Sequence, residues 1–146
     1  MTGLGDFSPG DILSADDLNA IGVWTSYAPV LSQSGTRSAT VNYAEYCLIN
    51  KVCFVNVDLT CTTTGSAGNA ISVTLPLTCN TNSIAVGSGQ FFDSSASDVR
   101  LLTASGDVTT VSFVADDSAN DVLGVSPSVA LGNNDVVSFN LIYRAL

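Results

Sequence analysis

The side chains of this chain that could do chemistry are mostly aspartates. Asp116, Asp117 and Asp121 could offer oxygens to calcium. Calcium wants about six to eight oxygen ligands in a shaped loop, and an EF-hand adds a central glycine and a final glutamate. The segment Asp116-Asp117-Ser118-Ala119-Asn120-Asp121 has neither, so it reads as a solvated loop. Asp16 and Asp17 could be paired catalytic carboxylates, but neighbours on a helix diverge by about 100°. A place in a helix first turn, where the dipole favours negative charge, explains them better. Ser94-Ser95-Ala96-Ser97-Asp98 contains three hydroxyls and no evident base. Lys51 falls in an expected turn, a poor place for a Schiff base.

Histidine is absent from the sequence. This removes the commonest general base and the commonest transition-metal ligand. No catalytic residue, metal site or cofactor is expected. Trp24, Tyr27, Tyr43, Tyr46, Phe91 and Phe92 could form a platform for stacking sugars. Aromatics on strands more often fill cores and interfaces, and Tyr43 and Tyr46 have opposite parity.

Charge excludes two further classes. The net charge is −9, and Arg37, Lys51, Arg100 and Arg144 are the only basic residues. Nucleic-acid binding and attachment to anionic membranes both need clustered Lys and Arg. The run from Cys47 to Val57 is interrupted by Asn50, Lys51 and Asn56, too short for a membrane span. The opening Met1-Thr2-Gly3-Leu4-Gly5-Asp6 has no basic and apolar leader pattern, which predicts synthesis in a cytosol without classical export. Cys47, Cys53, Cys61 and Cys79 match neither zinc-ribbon nor CxxC spacing. Parity puts Cys53 and Cys61 among core residues, so no essential disulfide is expected.

These residues must be positioned by strands. At 146 residues the chain fits one domain, and 46% hydrophobic content with 12% charge excludes a disordered chain. Residues 1–22 read as an N-terminal anchoring arm and short helix, and residues 23–146 as a β-sandwich domain. Ser14 caps the expected helix, and Leu13, Leu18 and Ile21 leave an apolar stripe that needs a partner surface. A helix of about two turns is marginal alone. Strands are expected at Trp24–Leu31, Thr40–Ile49, Val52–Thr63, Ala70–Leu75, Ile84–Phe92, Val99–Thr103, Val108–Val114 and Val136–Arg144. Val41, Tyr43, Cys47 and Ile49 should share one face, with Glu45 as the exception. Val52–Thr63 alternates most clearly, with Cys53, Val55, Val57, Leu59 and Cys61 on its buried face. Asn50-Lys51 should turn one hairpin and Ser105-Gly106-Asp107 another. Gly87 and Gly89 suggest a bulge or close packing. Roughly eight short strands predict an all-β, antiparallel β-sandwich, jelly-roll-like.

Three segments carry a resemblance. Gly10-Asp11-Ile12-Leu13-Ser14-Ala15-Asp16-Asp17-Leu18-Asn19 is similar to a G-x-x-L-x-A-x-x-L-N opening of tailed-bacteriophage virion proteins. Trp24-x-x-Tyr27-x-Pro29, with Ile71-x-Val73-x-Leu75-Pro76 later, resembles a W-x-x-Y-x-P … I-x-I-S-L-P pattern of small phage tail, fibre and head-surface domains. Asn134-Asp135-Val136-Val137-Ser138-Phe139 with Tyr143-Arg144-Ala145 looks like their G-D-x-I-S-F-x-x-x-Y-R-A terminal strand. Asn134 stands where glycine is usual, and Thr74 where serine is common.

The resemblance, which spans most of the chain, is to small β-sandwich virion surface proteins of tailed bacteriophages. It implies a non-enzymatic structural protein, assembled in the host cytoplasm into the virion and often a homotrimer. Its partners would be the major capsid protein or another virion protein. The small size and absence of a shaft favour a capsid decoration (cement) subunit or short head-surface fibre, held by its N-terminal arm. The alternative is a tail-fibre or tail-tip module that recognises host surface polysaccharide. A depolymerase would need two carboxylates facing each other across a groove, and no pair in the sequence suggests one.

Overall fold

The computed structural model describes residues 12, 14–15, 21–80, 85–116 and 122–146. Ten strands run through them: β1 (Trp24–Ser26), β2 (Leu31–Ser32), β3 (Thr36–Arg37), β4 (Ala39–Ile49), β5 (Val52–Cys61), β6 (Ser72–Thr74), β7 (Val86–Asp93), β8 (Asp98–Gly106), β9 (Thr110–Ala115) and β10 (Val136–Arg144). All pair antiparallel in one sheet, ordered β1-β4-β5-β10-β7-β8-β9-β6-β2-β3, which curls into a half-barrel. The expected all-β antiparallel class is therefore what the chain adopts. Its hydrogen bonding does not divide the strands into the two layers of a sandwich or jelly roll. Most of the expected helix, including Leu13 and Leu18, lies outside the described residues. No helix among the described residues is long and apolar enough to cross a membrane.

The inner face follows parity. Cys53, Val55, Val57, Leu59 and Cys61 are buried, as their alternation predicts. Val137, Phe139, Leu141 and Tyr143 of β10 face the same core. Phe113 of β9 meets Phe139 edge-on, with ring centroids 5.1 Å apart. All four cysteines are buried and free.

Two expectations about early strands need correction. The single strand over Trp24–Leu31 is divided into β1 and β2. Pro29 lies between them and has no N–H to give a ladder. In β4 the register shifts between Val41 and Tyr43. That bulge puts Val41 in the inward register opposite Leu59, whereas Tyr43, Glu45, Cys47 and Ile49 face outward. Val41 thus does not share a face with Tyr43, and Glu45 is no exception. Ala44, Tyr46 and Leu48 are the inward residues.

Turns and loops show what parity could not. Asn50, at φ 55°, takes the left-handed turn between β4 and β5. Gln33 is fully buried. Its Nε2 donates to Asn69 O at 3.0 Å and Val129 O at 2.6 Å, while its Oε1 accepts from Leu131 N at 2.8 Å and Ser66 N at 3.1 Å. One amide thereby fills its hydrogen-bonding capacity and ties two loops together.

Gly87 and Gly89 mark close packing of β7 on β10. A Cβ added at Gly89 would fall 2.8 Å from Phe139 Cβ and would also meet the Ser138 carbonyl. Backbone has to move to admit it. Gly89→Ala is therefore expected to cost about 1–3 kcal/mol, read as a lower urea midpoint. An unchanged midpoint would contradict the close approach.

The buried phenols add a pH dependence. Tyr143 Oη donates to Leu77 O at 2.8 Å and accepts from Leu77 N at 3.3 Å. Burial, then neighbouring Cys53, push the Tyr143 phenol above its ordinary value, and the same causes raise Tyr27. The folded state thus holds protons that the unfolded chain releases. Their stabilisation is complete below the ordinary phenol value of 10.0 and is lost as pH rises beyond it. The urea midpoint should fall between about pH 8 and about pH 11. A midpoint that rises over that window would reverse the assignment.

Candidate functional site on the outer sheet face

The outer face of the sheet is banded. Four rows of side chains cross its central strands, each defined by strand register. One row runs Cys47–Phe54–Ile142–Val86–Ser105 and is mainly apolar. The next is polar: Glu45–Asn56–Asn140–Ser88–Thr103. The third is Tyr43–Asp58–Ser138–Gln90–Leu101. The fourth, Thr60–Val136–Phe92–Val99, is mainly apolar again. Two rows carrying polar groups therefore lie between two apolar ones.

The middle of this face is a shallow groove of about 520 Å³, lined across β4, β5, β10, β7 and β8. Tyr43 forms one wall and Leu101 the other. Asn56, Asp58, Ser88, Gln90, Ser138 and Asn140 lie between them. The small side chains of Ser88 and Ser138 make the depression. Tyr43 is 42% exposed and Leu101 61% exposed, so both walls offer apolar surface to an occupant. The bulge residue Asn42 donates from Nδ2 to Asp58 Oδ1 at 2.9 Å and to Thr60 Oγ1 at 2.8 Å. Partial desolvation, then hydrogen bonding with Glu45 and its negative charge, hold the Tyr43 phenol above its ordinary value, against a hydrogen bond with Asn56. Tyr43 is consequently a neutral side chain at pH 7.

Asp58 is the one carboxylate in the lining, and no Lys, Arg or Cys joins it. The arrangement is suited to recognition by hydrogen bonds and apolar contact. Ser138 Oγ is buried without a hydrogen-bond partner. An unpartnered buried hydroxyl costs about 1–3 kcal/mol.

Other sequence candidates are dispersed. Ser94–Ser97 lie in the turn from β7 to β8. Asp93 Oδ1 accepts there from Ser95 N at 2.9 Å, Ser95 Oγ at 2.7 Å and Ala96 N at 3.0 Å. Ser94 Oγ donates to Asn133 O at 2.9 Å and lies 3.0 Å from Asp135 Oδ1. These hydroxyls are engaged in closing a turn. Asp116 is exposed, while Asp16, Asp17, Asp117 and Asp121 lie outside the described residues. Among the described residues no group of His, Cys, Asp or Glu is arranged to hold a metal. Burial pushes the Cys53 thiol up, which opposes thiolate chemistry. Lys51 is exposed in its turn.

The six aromatics do not assemble into one platform. Phe91 is in the core, Phe92 is on the outer face, and Trp24 is on the edge strand. Tyr27 and Tyr46 pack edge-on, their centroids 6.1 Å apart. Tyr43 alone of the six lines the groove. Of the anchoring residues, Ile21 is described and is 43% exposed. Sequence reasoning marked Asn56 and Asp58 as a wet face but missed the groove. Its other contributors come from β7, β8 and β10, whose register with β5 no local pattern specifies.

Comparison with known protein families, with curated proteins and with solved structures finds no match.

Ser138→Ala removes a hydroxyl that has no partner. It is expected to leave stability unchanged or raise it by up to about 1 kcal/mol in urea unfolding. A loss larger than that would assign the hydroxyl a bond.

Proposed function

We propose that this chain is a non-enzymatic structural protein of a bacteriophage virion, a capsid decoration subunit or short head-surface fibre. The observation that carries the proposal is an apolar cluster where the N-terminal segment joins the sheet. Ile21, Val23, Trp24, Ile49 and Val52 are each between 40% and 50% exposed. Trp24 pairs with Cys47, and Ile49 with Val52. A Cβ added at Gly22 would touch Ile49 and Cys47 Sγ, so the entering chain lies across the outer face of β4. An apolar cluster beside the entering segment fits attachment to another protein surface.

In this proposal residues 1–22 and the cluster are the foot, and the half-barrel is the projecting head. The sequence resemblance supplies the virion context and the threefold state. The high apolar content and low charge fit a surface partly covered by neighbours.

Removing residues 1–20 should leave a folded head that no longer joins the particle. Electron microscopy of virions from the encoding phage, with full-length and shortened chains, checks this, while circular dichroism checks folding. Full-length protein missing from purified virions would overturn the placement, and incorporation of the shortened chain would move attachment into the head. Light scattering of the full chain should give three times the monomer mass. A monomer at micromolar concentration would assign any threefold symmetry to the particle.

A further inference from the structure

We propose that the outer-face groove is a binding site for a neutral oligosaccharide. The inference concerns ligand chemistry and does not depend on placement in a virion. A sugar ring presents an apolar C–H face and a rim of hydroxyls that both donate and accept. The groove offers the complement of each. Tyr43 and Leu101 supply exposed apolar walls on its two sides. Asn56, Gln90 and Asn140 supply amides, which donate and accept as hydroxyls do. Asp58 adds an acceptor already oriented by Asn42.

Charge selects among sugars. Asp58 is the only charged residue of the lining, and the whole chain carries −9. Sulfated, phosphorylated and uronic-acid glycans would meet repulsion with no cation in the lining to offset it. Shape also selects. From β4 to β8 the groove crosses four inter-strand spacings, about 19 Å in all. That suits an extended chain of several rings better than one compact metabolite. The volume of about 520 Å³ falls in the range of small-molecule sites. An apolar peptide would instead favour the flanking rows, where Ile142, Val86 and Val99 are exposed.

The lining side chains stand on paired strands of one sheet, so their spacing is fixed before a ligand arrives. Ser88 Oγ lies 3.5 Å from Asn140 Oδ1, at the outer limit of a hydrogen bond. Ser138 Oγ, between Asp58 and Gln90 in register, has no partner. Ser138 Oγ is buried, so the groups open to a ligand are the exposed amides of Gln90 and Asn140 and the half-buried amide of Asn56.

The test uses the full chain on an array of neutral and acidic glycans. Two-dimensional NMR with the tightest neutral oligosaccharide follows. Neutral glycans should be retained, with amide shifts centred on Tyr43, Asn56, Gln90 and Asn140. Tyr43→Ala should weaken binding by up to about tenfold, the scale of one aromatic contact. Tyr43→Phe should preserve most of it, and Asn140→Asp should weaken it without touching the core. Lys51→Ala, outside the groove, should change nothing. Melting curves confirm that each variant folds. Retention of acidic glycans alone, no retained glycan, shifts elsewhere, or undiminished binding by both Tyr43→Ala and Asn140→Asp would each overturn the proposal. So would a second copy of the chain found covering the groove in solution.

Discussion

The C-terminal strand is inserted between two segments that precede it in the chain, and the rest of the sheet is built around that insertion. β10 pairs with β5 on one side from Val136 to Arg144 and with β7 on the other from Val136 to Ile142. Without it, β5 and β7 would each present an unpaired edge to water or to another chain. Its inward residues Val137, Phe139, Leu141 and Tyr143 also fill the centre of the core. Glycine at positions 87 and 89 is the complementary requirement on β7, since side chains there would run into the β10 backbone. These contacts join residues distant in sequence, so their loop-closure entropy has to be met before the core rewards it.

The same strand organises the candidate site. Ser138 and Asn140 are the outward neighbours of the core residues Val137, Phe139 and Leu141. One β10 backbone therefore fixes both the packing inside and the polar row outside. This is why the groove lies on regular strands and not on loops. The loops at the other side of the fold have a different support. Gln33 accepts and donates across two of them, while Asp135 accepts from Gly132 N at 2.7 Å and Ser94 N at 2.9 Å. Both buried polar side chains are met by backbone groups, as a low-dielectric interior demands.

What the sequence disclosed follows from local period. The alternation of Cys53 to Cys61 identified the inward face of β5 because each residue there is opposite in direction to the next. The turn at Asn50-Lys51 was legible because its residue types suit a tight turn, whereas the turn expected at Ser105–Asp107 falls later, at Asp107–Thr109, because Ser105 and Gly106 pair with Ser112 and Val111 as the end of β8. The period failed in β4, where the bulge at Asn42 inserts a residue and reverses the parity of everything before it. It also failed at Pro29, which interrupts a segment whose aromatics alternate well. The groove was illegible for a different reason. Asp58 and Gln90 share a row only because Ser138 pairs with both, and no local feature of β10 selects those two partners.

The banding of the outer face bears on how a sheet of this kind could assemble. The apolar cluster at Ile21, Ile49 and Val52 lies at one end of β4 and β5, beyond the row that contains Phe54 and Ile142. The groove begins one row further on. A partner seated on the apolar cluster would leave the polar rows open, so attachment and ligand binding can occupy one face without competing. Self-association is constrained more tightly. Subunits that packed through the central rows would desolvate Asp58, Asn56, Gln90 and Asn140, each needing a partner in the new interface. Asp58 would carry its charge into that interface with no cation in the groove to meet it. Subunit contacts that avoid this cost would run along the apolar rows or the short edge strands β1 and β3, and the polar band would remain the part of the sheet that faces water.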